Sequence, residues 1–400
     1  MIEIKPELQY QANCPHCTKP LIPTSTLWYG IHICVESTCS NCGAEIVEQM
    51  KIGHTLMGGC LVDLKAAEVF GDQNVKAWFG KTLLQALQKP NFQTVAIVKE
   101  VFQPCQRVIL LNCIDYMYGH SLLKLLNAQR HLEQHREYGL IVIVPKFLRW
   151  MVPQGVAEIW TIDIPLKRGL DYYPSFNQFV LKELERFTQV QVSEAYSHPS
   201  QFDITKFTGI PTHDFTQKQF NITFIWREDR LWCNEFLFRL LRKLKLLDLA
   251  LILQNWKIHR LMRQIKAKVP QANYVVAGLG KKTQFSEWIE DLRTDVFNEK
   301  VERQLCKVYS DSRLVIGIHG SNMLLPSGLA GMTIDLMSDG RWKHNFAQDI
   351  LYQEADSRIA TYRYCFLPEQ IKLQNLANIA ASMVTKFDSF CKLMTSDKAK

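Results

Sequence analysis

Two Cys-x-x-Cys pairs near the start constrain this chain more than any other feature. Cys14-Pro15-His16-Cys17 and Cys39-Ser40-Asn41-Cys42-Gly43 are separated by twenty-one residues. Each pair can wrap a tight knuckle that points two thiolates at one tetrahedral ion. The intervening length, with residues 26–32 as a strand, suits a small ribbon. Gly43 permits the turn that aims backbone N–H groups at sulfur. The spacing therefore predicts a structural Zn²⁺ held by Cys14, Cys17, Cys39 and Cys42 in a ribbon over residues 1–52. Such a metal contributes about 10–16 kcal/mol to folding. His16 and His32 are bystanders in this reading, because four thiolates already fill the shell. The other eight cysteines are scattered singly through apolar contexts and read as small core residues, without a disulfide framework.

Four hundred residues, 47% of them hydrophobic and 22% charged, leave room for two or three domains with real cores and exclude large-scale disorder. No apolar run approaches the roughly 20 residues that span a bilayer. The longest, 244–253, is interrupted by Lys245 and Asp248, and residues 1–9 carry Glu3, Lys5 and Glu7 where a signal peptide needs an apolar core. The expected location is cytoplasmic. Residues 227–268 hold eleven Lys/Arg against four Asp/Glu, and 11 − 4 = +7 is nearly the whole chain's +8. So concentrated a charge disfavours a protein that coats nucleic acid. Within it, residues 239–268 mix Leu and Ile with Lys and Arg at helical spacing. That pattern is a solvated face over a packed stripe, or a face for peripheral contact with an anionic membrane surface, with nucleic acid as a third partner class.

After a polar bridge at 50–59 the pattern changes. Residues 95–98 and 108–111 read as strands, 119–132 as an amphipathic helix, 140–144 and 159–164 as strands, and 176–187 as a helix. Ser197-His198-Pro199-Ser200 and Gly209-Ile210-Pro211-Thr212 punctuate the chain as a linker. A second series follows: strand 222–225, a long helical stretch 234–268, strand 274–278, helix 295–309 and strand 332–336. Alternation at this spacing predicts an α/β fold: two Rossmann-like parallel-sheet domains, over 60–205 and 215–395, preceded by the ribbon.

Between the last helix and strand lies Arg313-Leu314-Val315-Ile316-Gly317-Ile318-His319-Gly320-Ser321-Asn322-Met323-Leu324-Leu325-Pro326-Ser327. The apolar, branched run 314–318 suits a buried parallel strand. Gly317 and Gly320 allow a sharp turn and the close approach of a ligand. Ser321 and Asn322 are favoured N-cap residues, so a helix starting there would aim free N–H groups at the strand's carboxyl end, where open α/β sheets bind phosphates.

Tandem α/β domains with such a loop in the second resemble glycosyltransferases of the GT-B fold. Two segments carry the resemblance: Ile222-Thr223-Phe224-Ile225-Trp226-Arg227-Glu228-Asp229-Arg230, with Asn234-Glu235 close behind, and residues 317–326 followed by Ile334-Asp335-Leu336. Together they resemble the family 61 glycosyltransferases over residues 220–345. In that family a strand ends in an Arg-containing motif before an Asn-Glu helix start, and a later Gly-x-His-Gly loop precedes a helix. The chain departs from that pattern in a shorter loop after His319-Gly320, lacking an Ala-Gly-Leu-like insert. Its N-terminal half holds no motif of the family.

The resemblance implies transfer of a sugar from a nucleotide-sugar donor without a catalytic metal, to a glycan, lipid-linked or protein acceptor. It implies donor binding by Arg227, Arg230, Gly317, His319, Gly320, Ser321 and Asn322; arginine suits bidentate phosphate contact. A general base for the acceptor would come from the loop Asn112-Cys113-Ile114-Asp115-Tyr116-Met117-Tyr118-Gly119-His120, with Asp115 and His120 as catalytic candidates. The bland readings are an Arg pair neutralised by Glu228 and Asp229, a satisfied loop histidine at 319, and turn residues at 115 and 120. The alternatives to a transferase are a zinc-ribbon nucleic-acid-binding protein and an inactive α/β scaffold.

Overall fold

The computed structural model describes residues 1–196, 199–233, 239–241, 243, 244, 246–338 and 353–395. Ser197 and His198 of the expected linker, Asn234 and Glu235 of the resemblance, and the chain end at 396–400 lie outside the described residues. The chain divides into two compact units, Met1–Phe207 and Thr208–Lys400.

In the first unit, β1 (Ile2–Lys5) is followed by an antiparallel meander of β2 (Leu21–Trp28), β3 (Ile33–Cys39), β4 (Glu45–Gln49), β5 (Leu61–Asp63) and β6 (Glu68–Phe70). A short helix, α1 (Lys81–Gln88), leads into β7 (Ile97–Val101) and β8 (Arg107–Asn112). Two consecutive helices, α2 (Tyr118–Leu125) and α3 (Asn127–Gln134), meet at Leu126 where a single helix was expected. Then come β9 (Gly139–Pro145), β10 (Glu158–Ile162), α4 (Pro174–Leu184) and β11 (Gln189–Val192).

The main sheet runs β1-β11-β8-β9-β10-β7. Its four central strands are parallel, while β1 and β7 add antiparallel edges, so it is mixed where a parallel sheet was expected. Val108 to Leu111 and Leu140 to Val144 are fully buried, as strands covered on both faces must be. The β7 edge exposes Val98 and Val101. The cysteine-bearing segment is built into this unit, because Trp28, Ile33 and Val35 share one core with Val108, Leu110, Ile141 and Ile143.

The second unit contains β12 (Asn221–Trp226), α5 (Leu247–Lys266), β13 (Asn273–Leu279), β14 (Ile289–Thr294), α6 (Glu299–Ser310), β15 (Ser312–Ile318), α7 (Leu324–Leu329), β16 (Thr333–Met337), β17 (Tyr364–Pro368) and α8 (Leu373–Thr395). Its six strands are all parallel, in the order β14-β13-β12-β15-β16-β17. Strand order therefore reverses between β12 and β15. Ile222, Phe224, Ile316 and Ile318 share a core with Ile258 and Leu261 of α5 and Leu376 and Ala380 of α8. Alternate residues turn to the opposite face, where a Cβ on Gly317 would lie 2.3 Å from Met323 Sδ. Helix α6 starts at Glu299, four residues later than expected, because Asn298 caps it by accepting from Val301 N. No described helix is long and apolar enough to cross a membrane.

Each unit buries a neutral histidine. His131 Nε2 lies 2.7 Å from Ser193 Oγ, and His213 Nδ1 lies 3.0 Å from Ser310 O. Burial, reinforced by neighbouring Arg130, lowers His131 to about 3. Burial also lowers His213, to about 4, despite its bond to Ser310. An unfolded histidine titrates near about 6.5, so between these values the unfolded chain takes up protons that the folded chain refuses. Stability should therefore fall as pH drops from about 6.5 toward 4. Melting temperature followed across that range is expected to decline, less steeply in His131→Gln. A flat profile would contradict it.

Candidate functional site

The four cysteines sit on two matching knuckles. Cys14 N donates to Lys19 O at 2.8 Å and Thr18 N to Cys14 O at 2.9 Å. Cys39 N donates to Ala44 O, and Gly43 N to Cys39 O, both at 2.9 Å. Thr18 and Gly43 occupy the same place in each turn, with φ of 63° and 71°. Across the pairs, Cys14 Sγ lies 3.5 Å from Cys42 Sγ, and Cys17 Sγ 3.4 Å from Cys39 Sγ. All four sulfurs fall within 4.8 Å of one another, and none forms a disulfide. Backbone N–H groups of the second knuckle, chiefly that of Cys42, pull the Cys39 thiol down to about 6, whereas Cys42, although the Ala44 N–H lowers it, is pushed up to about 12 chiefly by its contact with Cys14. The four cysteines could thus hold a metal ion. His16 takes no part, since its Nε2 lies 2.9 Å from Asp63 Oδ2.

Beyond β8, Asp115 is buried rather than facing solvent. Its Oδ2 lies 2.9 Å from Lys124 Nζ and 3.0 Å from His54 Nε2, and its Oδ1 accepts from Met117 N and lies 3.6 Å from His120 Nδ1. Lys124 also donates to Ile114 O at 2.9 Å. Burial alone would raise the Asp115 carboxyl, but Lys124, aided by His120 and His54, holds it well below the ordinary carboxylate range. Burial lowers His54, and its bond to Asp115 only partly offsets this. The two imidazoles pack with centroids 4.3 Å apart, and Trp78, half exposed, lies 5.7 Å from His54. Three potential ligand atoms, from His54, Asp115 and His120, lie within 4.8 Å of one another. Lys124 already supplies the positive charge, however, and a dication beside it would be repelled by several kcal/mol, on the order of 4 per unit charge at 4 Å. Asp115 is thus neutralised by Lys124, with one imidazole, His54 or His120, beside each of its oxygens.

In the second unit, Arg227 and Arg230 leave the end of β12 and meet the loop after β15. Arg227 Nη1 donates to His319 O at 3.2 Å and Asn322 Oδ1 at 2.5 Å. Arg230 Nη1 donates to the same carbonyl. The other edge of Arg227 grips Asp229 in a bidentate pair of 2.8 and 2.5 Å. Gly320, at φ 145°, is required here: a Cβ would fall 2.4 Å from Arg227 Nη1. The His319 ring turns away into the core, where Nδ1 lies 2.8 Å from Asp335 Oδ2, an oxygen that also accepts from Tyr364 Oη at 2.9 Å.

The expected caps fail. A 3₁₀ turn spans Ser321–Met323 with Gly320 as its N-cap, and α7 starts only at Leu324. Neither has a side-chain cap bond. Asn322 instead accepts from Arg227, and the six-residue α7 provides too short a dipole to bind an anion by itself.

The structure thus brings together Arg227, Arg230, His319, Gly320 and Asn322, with Ser321 on the same turn, and separately Asp115 with His120; Gly317 lies within β15, paired with Ile225 and Asp335, rather than on the loop where it was expected. Sequence reasoning missed His54 and Lys124, whose neighbours in the chain give no signal. It also missed the role of Asp335, although a carboxylate inside an apolar strand was a visible anomaly.

No family model matches the chain, and no curated protein is similar to it. Among solved structures, a chain described as "Crystal structure of GtfA/B complex" is similar at 10% identity and a TM-score of 0.23, covering 90% of this chain and 67% of that one. At that score it carries no argument about fold or function.

Two outcomes follow from this geometry. The purified protein should carry about one equivalent of metal, lost together with thermal stability when Cys14→Ser and Cys17→Ser are combined; metal content by mass spectrometry checks it. Lys124→Met leaves a buried carboxylate unpaired and should cost about 3 kcal/mol or more in urea unfolding. Adding Asp115→Asn should recover much of that loss, and no recovery would refute the pairing.

Proposed function

We propose that the chain is a glycosyltransferase that moves a sugar from a nucleotide-sugar donor to a glycan, lipid-linked or protein acceptor. The donor's diphosphate is held where strand order reverses, by Arg227 and Arg230 over the end of β15 at Gly317 and the turn formed by His319, Gly320, Ser321 and Asn322. One observation carries this reading: both guanidinium groups reach the carbonyl of His319 at the carboxyl ends of β12 and β15, the crevice where parallel α/β sheets take ligands.

As the acceptor oxygen bonds to the anomeric carbon, the bond from that carbon to the diphosphate breaks and its electron pair leaves with phosphate. Guanidinium charge stabilises that leaving group. The acceptor proton passes to a general base. The four cysteines hold Zn²⁺ in a structural role, in keeping with an all-thiolate set that leaves no open position.

A scaffold without activity is the second reading. It is favoured by Asp229, whose side chain is 73% exposed and yet occupies Arg227. An incoming diphosphate would have to displace that carboxylate.

Thermal shift with UDP, GDP, ADP and CDP separates the two. One of these should raise the melting temperature, and the rise should vanish in Arg227→Ala and in Arg230→Ala. Indifference to all four would sink the transferase reading and leave the scaffold.

A further inference from the structure

Helix α5 is apolar on two opposite faces, and among the described residues only one of them is buried in a core. Ala250, Ile258, Leu261, Met262 and Ile265 are buried in the core of the second unit. On the other side, Leu249, Ile252, Leu253 and Trp256 follow one another at helical spacing and are 50, 63, 49 and 53% exposed. Upstream, Leu240, Leu244 and Leu246 are exposed as well. An ordinary surface helix sets polar residues opposite its buried stripe. A contiguous exposed apolar strip marks an interaction surface.

The charges around the strip identify its partner. Arg239, Lys243, Arg260 and Arg263 are all exposed along it, against the single acid Asp248. Arg260 lies over the ring of Trp256, 5.3 Å from its centroid. An indole with a cation over its face is suited to the boundary between acyl chains and headgroups.

We propose that this face docks on an anionic lipid bilayer, with Leu249, Ile252, Leu253 and Trp256 entering the acyl boundary and the arginines and lysines pairing with lipid phosphates. The contact is peripheral, since no described helix is long and apolar enough to cross. A second copy fits less well, because a two-fold contact would press the same cationic rim against itself. Nucleic acid would neutralise the cations but leave the leucines in water. The inference holds whether or not the chain transfers sugars.

The full chain is tested by co-sedimentation with vesicles of 30% phosphatidylglycerol in phosphatidylcholine, and with pure phosphatidylcholine, in about 0.1 M salt. Sedimentation is expected with the first and not the second. Ile252→Glu with Leu253→Glu should weaken it at least tenfold without lowering the melting temperature, because both positions are exposed. No sedimentation with anionic vesicles, or binding unchanged in the double variant, would overturn the proposal. So would light scattering that finds a dimer which the double variant dissociates, since the face would then belong to a second copy.

Discussion

A cation withdrawn from water has to be neutralised, and that need organises the strand ends of both units. Lys124, only 3% exposed, reaches from α2 to Asp115 and to the carbonyl of Ile114 just beyond β8. Arg227, beyond β12, does the same through Asp229, His319 O and Asn322. Arg293 on β14 pairs with Asp291 and stacks 4.3 Å from the ring of Trp226. Burying such ions is costly unless charge and hydrogen bonds are both answered. The loops that answer them are therefore tied to the sheet at several points. A tied loop can present functional groups in one geometry, which catalytic or binding sites require.

The cysteine end of the meander faces the opposite problem. Its own cluster of buried apolar residues is only Cys14, Leu21, Cys39 and Ile46. So little apolar surface cannot hold two tight turns with positive φ at Thr18 and Gly43. A metal ion held by both knuckles would offset that deficit, and the rest of the meander leans on the main sheet through Trp28 and Val35. The cysteine cluster is thus local, while the strands carrying it belong to a larger core.

Some of the site was legible beforehand because its signals are short-range. Gly320 could be picked out as a point of close approach, and the structure puts guanidinium groups where its Cβ would be. Arg227 and Asp229 were visible as neighbours able to neutralise one another, and they do. The caps at Ser321 and Asn322 were misread because cap propensity describes an isolated helix start. Here Arg227 claims the Asn322 carbonyl, and the chain tightens into a 3₁₀ turn. His319 looked like a ligand-facing residue, yet Asp335, sixteen positions on, draws its ring into the core.

What the sequence determined by itself is what depends on spacing along the chain: the two cysteine knuckles, the buried runs of the parallel strands, and the glycine that breaks the chain after β15. Tertiary structure alone decided which distant residues share a charge. His54 reaches Asp115 across 61 positions and Arg227 reaches His319 across 92, and only sheet order brings such pairs into contact. The reason is physical: periodicity reports which side of an element is apolar, whereas a buried ion is matched by whichever partner the packing places within hydrogen-bonding distance.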